Sequence, residues 1–205
     1  MTFSLFAVFS ESIDGIPPMV SGVAGLQKVH IYTPGRASDP YLNDGAPPPL
    51  VLQLYFDALP ALEAALAKPL LPARAVCEVQ AMLVRRFAVP QPRPDPLCTY
   101  LVAYEGRAED ADAWHAYYLE HHPPLMAKLP GIRELEIYTP VQWLCPPGWR
   151  RADCMQRNKV AFDSPEALTA ALNSPVRKEM RADYTQLPPF SGRVTHYPMA
   201  TSVLS

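Results

Sequence analysis

The stretch Gly25-Leu-Gln-Lys-Val-His-Ile-Tyr-Thr-Pro34 recurs 106 residues later as Gly131-Ile-Arg-Glu-Leu-Glu-Ile-Tyr-Thr-Pro140. The same offset carries the pair Pro17-Pro18 onto Pro123-Pro124, and it also relates segments that follow each copy of the stretch. Separated segments that share one offset without gaps indicate a tandem duplication. The chain is therefore predicted to contain two copies of one fold.

Proline marks the joint between the copies. The chain has 25 prolines in 205 residues, more than twice the usual share of roughly 5%. In the run Val89-Pro-Gln-Pro-Arg-Pro-Asp-Pro-Leu97, every second residue is a proline, which cannot donate to a sheet and favours an extended polyproline II conformation. We predict an N-terminal repeat at 1–88, a linker at 89–97 and a C-terminal repeat at 98–205.

The sequence pattern of each repeat predicts the order strand, helix, strand, strand, helix, strand. In the second repeat, the patterns predict strands at 98–105, 132–138, 156–162 and 193–199, and helices at 109–121 and from 164 onward. Pro123-Pro124 should break or kink the first helix, and Pro175 should divide the second, as Pro69 does in the first repeat. This βαββαβ order is ferredoxin-like, with both helices on one face of a sheet. The second copy is expected to cover the other face.

The first helix of the N-terminal repeat is predicted to be short. Phe9 lies 8 residues before Pro17, whereas the equivalent Tyr104 lies 19 residues before Pro123. The shorter spacing leaves no room for a full helix. We expect that face of the N-terminal sheet to be thinly covered, and to hold a cavity or a protein contact, including a homodimer contact.

Charge and composition exclude several partner classes. The chain carries 18 basic and 20 acidic residues, for a net charge of −2, and is 49% apolar, so it has no electrostatic footprint for nucleic acid or an anionic membrane. No apolar stretch approaches the roughly 18 residues of a transmembrane helix, and no positive charge precedes the apolar N-terminus as in a signal peptide. The four cysteines form no CxxC pair. We expect a cytoplasmic protein.

The run from Trp114 to Gly131 resembles the EthD family of the dimeric α+β barrel superfamily. The family pattern is roughly Y-x-x-x-H-x-P-L followed by P-G, and its places are taken by Tyr118, His122, Pro124, Leu125, Pro130 and Gly131. The resemblance implies a barrel of two sheets packed back to back, normally from two chains. Here it implies an α+β fold in which two ferredoxin-like repeats of one chain pack sheet to sheet as an intrachain pseudo-dimer.

The same resemblance implies a range of chemistries. EthD-like proteins are associated with oxidative breakdown of organic compounds, often beside a monooxygenase. Related barrels include lactone isomerases, polyketide cyclases, quinol-forming monooxygenases and haem enzymes. Because one scaffold supports many reactions, the fold does not identify the reaction.

His122 is the principal candidate for catalysis, because an imidazole acts as an acid or a base near neutral pH. Its place beside Pro123 also allows a structural role, in which it bonds backbone groups left unpaired, or ligation of a metal or haem. Tyr118 and Glu136 are the candidates for orienting a substrate. The N-terminal equivalent of His122 is Ile16, which predicts one site in each chain.

Further side chains are candidates for binding a ligand. On the helix, Trp114, Tyr117 and His121 lie on or beside one stripe with Tyr118, where they would line an apolar pocket or pack in the core. On the strands, Glu136 and Tyr138 share a face, as do the equivalent His30 and Tyr32, and His196 lies on the last strand. We expect His30 and Glu136 to pair in the barrel interior, or these polar groups to bond to one another or lie at a wet rim.

Two functions follow as alternatives. The first is a cofactor-independent oxidoreductase, isomerase or cyclase that binds a small apolar organic molecule, with His122 as the acid or base. The second is a non-catalytic binding or accessory protein of a monooxygenase system. The histidines lack the H-x-x-x-H and H-E-x-x-H spacings, and no dinucleotide or phosphate-binding motif is present, so no metal and no cofactor is expected.

Overall fold

The computed structural model describes residues 1–68, 70–71, 76–93 and 95–204, and of Val76 and Cys77 the backbone alone. Within these ranges the strands are β1 (Thr2–Phe9), β2 (Leu26–Pro34), β3 (Leu50–Phe56), β4 (Val76–Phe87), β5 (Cys98–Ala108), β6 (Glu134–Pro140), β7 (Cys154–Phe162) and β8 (Phe190–Leu204). The helices are α1 (Ile16–Val20), α2 (Leu59–Leu66), α3 (Ala111–Met126), α4 (Pro165–Leu172) and α5 (Pro175–Tyr184).

The described strands form one closed antiparallel barrel in the order β1-β3-β2-β8-β5-β7-β6-β4. The first four strands are neighbours along one side and the last four along the other. The two sides join edge to edge, where β2 pairs with β8 and β4 pairs with β6. Closure gives each of these strands two partners, so no long edge is left to aggregate. The fold is a mixed α+β barrel closed within one chain.

Strand alternation sorts the side chains between the barrel interior and the helices. On β6, Leu135 and Ile137 pack in the outer core under the helices, and Tyr138 packs in the interior with Phe6 and Met82. Successive side chains on a strand point to opposite faces, and this division agrees with the alternation predicted for 132–138. The outer faces carry two separate cores, one in each half of the chain.

Helix α3 differs from its prediction. It runs through Pro123 and Pro124 to Met126, so the expected end at 121 is wrong. The two prolines lack the N–H groups that would bond one turn back, but the Ala127 N–H donates to the Pro123 carbonyl at 2.9 Å and continues the ladder. At the other end the Asp110 carboxylate accepts from the Ala113 N–H at 2.9 Å, which caps the helix.

The remaining helices follow the proline pattern. Ser164 caps α4 by accepting from the Ala167 N–H at 3.2 Å, and Pro175 begins α5, so the predicted division is confirmed. Helix α1 has only five residues, as its short spacing predicts. Pro69, expected to divide the equivalent helix, lies outside the described residues. No helix among the described residues is long and apolar enough to cross a membrane.

Residues 141–153, here called the C-terminal strap, cover the N-terminal sheet where α1 is short. Trp143 is 6% exposed and belongs to the N-terminal core. The strap adds a short bridge to β4, in which the Ala152 N–H donates to the Val79 carbonyl and the Val79 N–H donates to the Arg150 carbonyl, each at 2.8 Å. The face expected to be thinly covered is therefore packed by the other half of the chain.

Residues 35–49, here called the N-terminal strap, cross in the opposite direction onto the C-terminal half. The Ser38 N–H donates to Thr169 Oγ1 of α4 at 3.2 Å. The Asp39 carboxylate accepts from the Tyr100 hydroxyl of β5 at 2.7 Å and from Arg177 of α5 at 3.1 Å. Each half thus supplies a loop that covers the outer face of the other.

Candidate functional site

A cavity of about 510 Å³ lies between the C-terminal sheet and the helices that cover it. Its floor comes from β5, β7 and β8, its walls come from α3, α4 and α5, and the N-terminal strap contributes Leu42. The lining is mainly apolar, with polar groups from His122, Tyr118, Arg177 and His196. An apolar pocket with a few converging polar groups is the usual form of a small-molecule site.

His122 and Asp183 form the most reactive arrangement in this cavity. His122 is 5% exposed, and its Nδ1 lies 2.6 Å from Asp183 Oδ2 at the C-terminal end of α5. Because a carboxylate only accepts hydrogen bonds, Nδ1 is the nitrogen that carries the proton. The lone pair is then on Nε2, the other ring nitrogen. An Asp orients a general-base histidine in the same way in catalytic triads.

The protonation of His122 suits a base. Burial lowers its pKa from 6.5, although the hydrogen bond and charge of Asp183 act in the opposite direction, and the nearby charge of Arg177 lowers the pKa further. The ring is therefore neutral near pH 7 and able to accept a proton. The structural alternative for His122, bonding to backbone groups left by the prolines, receives no support because its partner is the Asp183 carboxylate.

Tyr118 lies one turn before His122 and also lines the cavity. Its hydroxyl accepts from Asn158 Nδ2 at 2.8 Å and donates to Met126 Sδ at 3.7 Å. Trp114 stacks on Tyr118 with ring centroids 5.0 Å apart, but it is fully buried behind the cavity wall. Burial raises the pKa of Tyr118 well above 10. Tyr118 therefore stays protonated and offers a polar group in a fixed position.

Tyr117 and His121 lie on the outer side of α3 and do not line the cavity. Their rings stack at 4.1 Å, and His121 Nδ1 lies 2.9 Å from the Tyr117 carbonyl oxygen. The Tyr117 hydroxyl lies 3.5 Å from Asp183 Oδ1. Tyr117 thus contacts the carboxylate that orients His122, whereas His121 is exposed.

The N-terminal strap completes the polar part of the cavity. Asp39 bonds to Tyr100 and Arg177, and burial, which would raise its pKa, is outweighed by these hydrogen bonds and by the backbone of Tyr41, so its pKa is lowered. Asp44 accepts from His196 Nδ1 and from the His196 backbone N–H, both at 2.9 Å. Burial lowers the pKa of His196, and Asp44 opposes that shift.

Sequence reasoning missed Asp183, Arg177 and Asp39 as site residues. Asp183 follows the buried Met180 of α5 by three residues, a spacing that places both on one helix face. An acidic residue on an otherwise apolar helix face could therefore have indicated a site residue. Asp39 gave no signal, because it lies in a loop whose path depends on the opposite half of the chain.

The strand candidates lie in a different place, inside the barrel. Glu136 is fully buried and accepts from Tyr55 at 2.6 Å and Tyr138 at 2.5 Å, and its carboxylate lies 2.8 Å from Lys159 Nζ. Arg86 adds a bond at 2.9 Å. Despite burial, these partners keep the pKa of Glu136 well below its usual range. The sheet separates this cluster from the cavity of His122.

His30 does not pair with Glu136, and that expectation is wrong. Its Nδ1 lies 3.0 Å from the Tyr32 hydroxyl, which donates to Gln53 Oε1 at 2.6 Å. The Glu136 carboxylate instead accepts from Tyr55 and Lys159, two residues that were not predicted as site residues. The other expectation, that these polar groups bond to one another, is correct for Glu136 with Tyr138 and for His30 with Tyr32.

Lowering the pH below 6.5 is expected to destabilise the protein through His30. Burial, with the charges of Lys159 and Lys28, lowers the pKa of His30 to about 2 in the folded chain. Only the unfolded chain takes up a proton as the pH falls through 6.5, so stability is lost with decreasing pH. Between pH 6 and pH 5, the wild type is expected to lose about 1 kcal/mol more unfolding free energy than His30→Gln, which has no imidazole to protonate. Urea unfolding at both values measures this, and equal losses in both proteins would contradict it.

A second cavity, also of about 510 Å³, opens at the mouth of the barrel. Its charged groups pair with each other: Arg157 and Arg150 with Glu78, and Arg193 with Glu105. These charged side chains at the opening of the barrel therefore already have ion-pair partners. In the cavity of His122, by contrast, Arg177 Nε is buried without a hydrogen-bond partner among the described residues.

The family model of the EthD domain matches residues 107–186. This segment is therefore similar to the EthD domain. It runs from the end of β5 to just beyond α5 and contains both His122 and Asp183. A comparison with curated protein sequences finds no match.

Solved structures similar to the whole chain share its fold at low identity. An anthrone oxidase-like protein is 12% identical, with 100% of this chain and 93% of that chain covered and a TM-score of 0.61. A candidate monooxygenase from Lactobacillus acidophilus NCFM is 9% identical, with coverages of 100% and 96% and a TM-score of 0.57. Chlorite dismutase from Candidatus Nitrospira defluvii, in complex with imidazole, is 11% identical, with coverages of 97% and 91% and a TM-score of 0.57.

Proposed function

We propose that this protein binds a small, mainly apolar organic molecule in the cavity beside the EthD domain helices, and that His122 accepts a proton from it. The observation that carries the proposal is the 2.6 Å contact between His122 Nδ1 and Asp183 inside a mainly apolar cavity. The reaction class is a cofactor-independent oxidation, isomerisation or cyclisation that begins with loss of a proton.

The cavity supports this choice of ligand. Its volume of about 510 Å³ falls within the roughly 300–1,000 Å³ of small-molecule sites. Side chains such as Leu168, Val194 and Met180 line it and offer no group that would bind a strongly hydrated ligand. The similar structures described as anthrone oxidase-like and as a candidate monooxygenase are consistent with oxidative chemistry on small organic molecules.

We also propose that the barrel consists of two ferredoxin-like repeats, at 1–88 and 98–205, joined by the linker at 89–97. The strand order supports this, because β4-β1-β3-β2 and β8-β5-β7-β6 place the first to fourth strands of each half in the same arrangement. In the N-terminal repeat, Ile16 of the five-residue α1 takes the place of His122. This repeat then serves as support, and each chain has one site.

Filling the cavity is the direct test of binding. Val194→Trp places a large ring in the cavity and is expected to weaken binding of 2-naphthol at least 10-fold, because the ring occupies the space that the ligand needs. Leu144→Trp is the matched control, since Leu144 is 75% exposed in the C-terminal strap. Isothermal titration of the folded variants measures the affinities. Equal affinities in wild type and Val194→Trp would place the ligand elsewhere and contradict the proposal.

A further inference from the structure

We propose that the ligand is a neutral, enolisable ketone, whose carbonyl oxygen is held by Arg177 while His122 removes a proton from the adjacent carbon. This inference rests on the proposed function and names its substrate class. Arg177 takes no part in the proposed proton transfer to His122. It lines the same cavity as His122, and its positive charge lowers the pKa of that histidine.

Arg177 is a buried cation with an incomplete set of acceptors. It is 8% exposed, and a guanidinium has five N–H donors. Nη2 donates to Asp39 at 3.1 Å, whereas Nε is buried without an acceptor among the described residues. A buried donor without an acceptor costs free energy. Arg177 lines the cavity, and a turn of its guanidinium toward a ligand oxygen would supply the missing acceptor.

The charges around the cavity favour a neutral ligand over a carboxylate. Among the described residues, the charged side chains that line the cavity are Arg177 and Arg181. Carboxylates contact three of the lining residues: Asp39 contacts Arg177, Asp44 contacts His196 and Asp183 contacts His122. The three carboxylates outnumber the two guanidinium groups, so no excess positive charge awaits a carboxylate. The site is instead suited to an oxygen that becomes negative during the reaction, when Arg177 stabilises it most.

The proposed step transfers one proton and changes no oxidation state. The C–H bond next to the carbonyl breaks, and its proton goes to His122 Nε2, which becomes an imidazolium beside the Asp183 carboxylate. The electron pair of that bond forms a C=C bond, and the carbonyl π electrons move to the oxygen, giving an enolate held by Arg177. Return of a proton to the same carbon regenerates the ketone, so in D₂O the ketone acquires deuterium.

The test follows deuterium uptake by 2-tetralone in D₂O by proton NMR, with binding measured by titration. Wild type is expected to accelerate exchange above the protein-free rate and to bind 2-tetralone at least 10-fold more tightly than tetralin or 2-naphthoate. Arg177→Met is expected to slow exchange about 100-fold to 1,000-fold, as loss of an oxyanion donor does, and to equalise the affinities for 2-tetralone and tetralin. Lys178→Met, an exposed cation on the same helix, is expected to leave both quantities within twofold.

The outcomes separate this inference from the proposed function. The role of Arg177 is overturned if wild type binds tetralin as tightly as 2-tetralone and Arg177→Met does not change the exchange rate. The cavity then remains a ligand site. Tighter binding of 2-naphthoate than of 2-tetralone overturns the neutral substrate class. Failure of all three compounds to bind overturns the proposed function and this inference together. Circular dichroism and the thermal midpoint of Arg177→Met establish that it is folded.

Discussion

His122→Gln is expected to lower the rate of proton transfer by about 10²-fold to 10⁴-fold, the range that a positioned acid or base contributes. Glutamine keeps an N–H donor for Asp183, so the buried carboxylate retains a partner and the fold should survive. It has no basic nitrogen to replace Nε2. The measurement is turnover of a panel containing a phenol, a lactone and 2-tetralone, followed by NMR. His115→Gln is the matched control on α3, because His115 bonds to the Met155 carbonyl away from the cavity.

Asp183→Asn separates the base from its orienting partner. The amide lacks the charge that favours a protonated His122, so the pKa of His122 should fall further below 6.5 and the acid limb of the pH profile should move to lower pH. The amide can also donate to Nδ1 and stabilise the wrong tautomer, which lowers the maximal rate. Unchanged rates in both variants would contradict the role of His122 as the base. Ligand binding without turnover by the wild type would indicate a non-catalytic binding or accessory protein.

Lys159→Met is expected to destabilise the protein by about 3 kcal/mol, because it removes the cation from a buried ion pair and leaves the carboxylate uncompensated. Lys159 is fully buried and lies 2.8 Å from carboxylate oxygens of both Glu136 and Glu134. The loss falls at the lower end of the usual range because Arg86 still bonds to Glu136. For a chain of this size the thermal midpoint should fall by about 10 °C, measured by calorimetry.

Neutralising the partner should restore much of that stability. In Lys159→Met combined with Glu136→Gln, the interior no longer holds the Glu136 charge, and the double variant should be more stable than Lys159→Met alone. Lys68→Met is the surface control, since Lys68 is exposed at the end of α2. Loss of ligand turnover in folded Glu136→Gln would instead support the catalytic role predicted for Glu136 from the sequence. A double variant no more stable than Lys159→Met would contradict the ion-pair account.

Local sequence patterns predicted the elements well where one physical cause dominates. The predicted helix starts near 109 and at 164, where Asp110 and Ser164 act as caps, and the division at Pro175 depend on residues within a few positions. The end of α3 was mispredicted because two adjacent prolines remove hydrogen bonds without preventing helical dihedrals, and the surrounding packing decides whether the helix continues. His122 was selected for its chemistry and its place beside Pro123, and the structure then supplied its partner from α5.

The sequence by itself determined the stretch that recurs 106 residues later, the alternation of the strands and the place of His122 beside Pro123. These are properties of residue spacing, which the chain carries whether or not it is folded. Only the tertiary structure decided that Asp183 meets His122, that Asp39 reaches Arg177 from the other half, and that Lys159 rather than His30 neutralises Glu136. Such contacts join residues between 23 and 138 positions apart, and their distances depend on how the barrel closes and how the two straps cross.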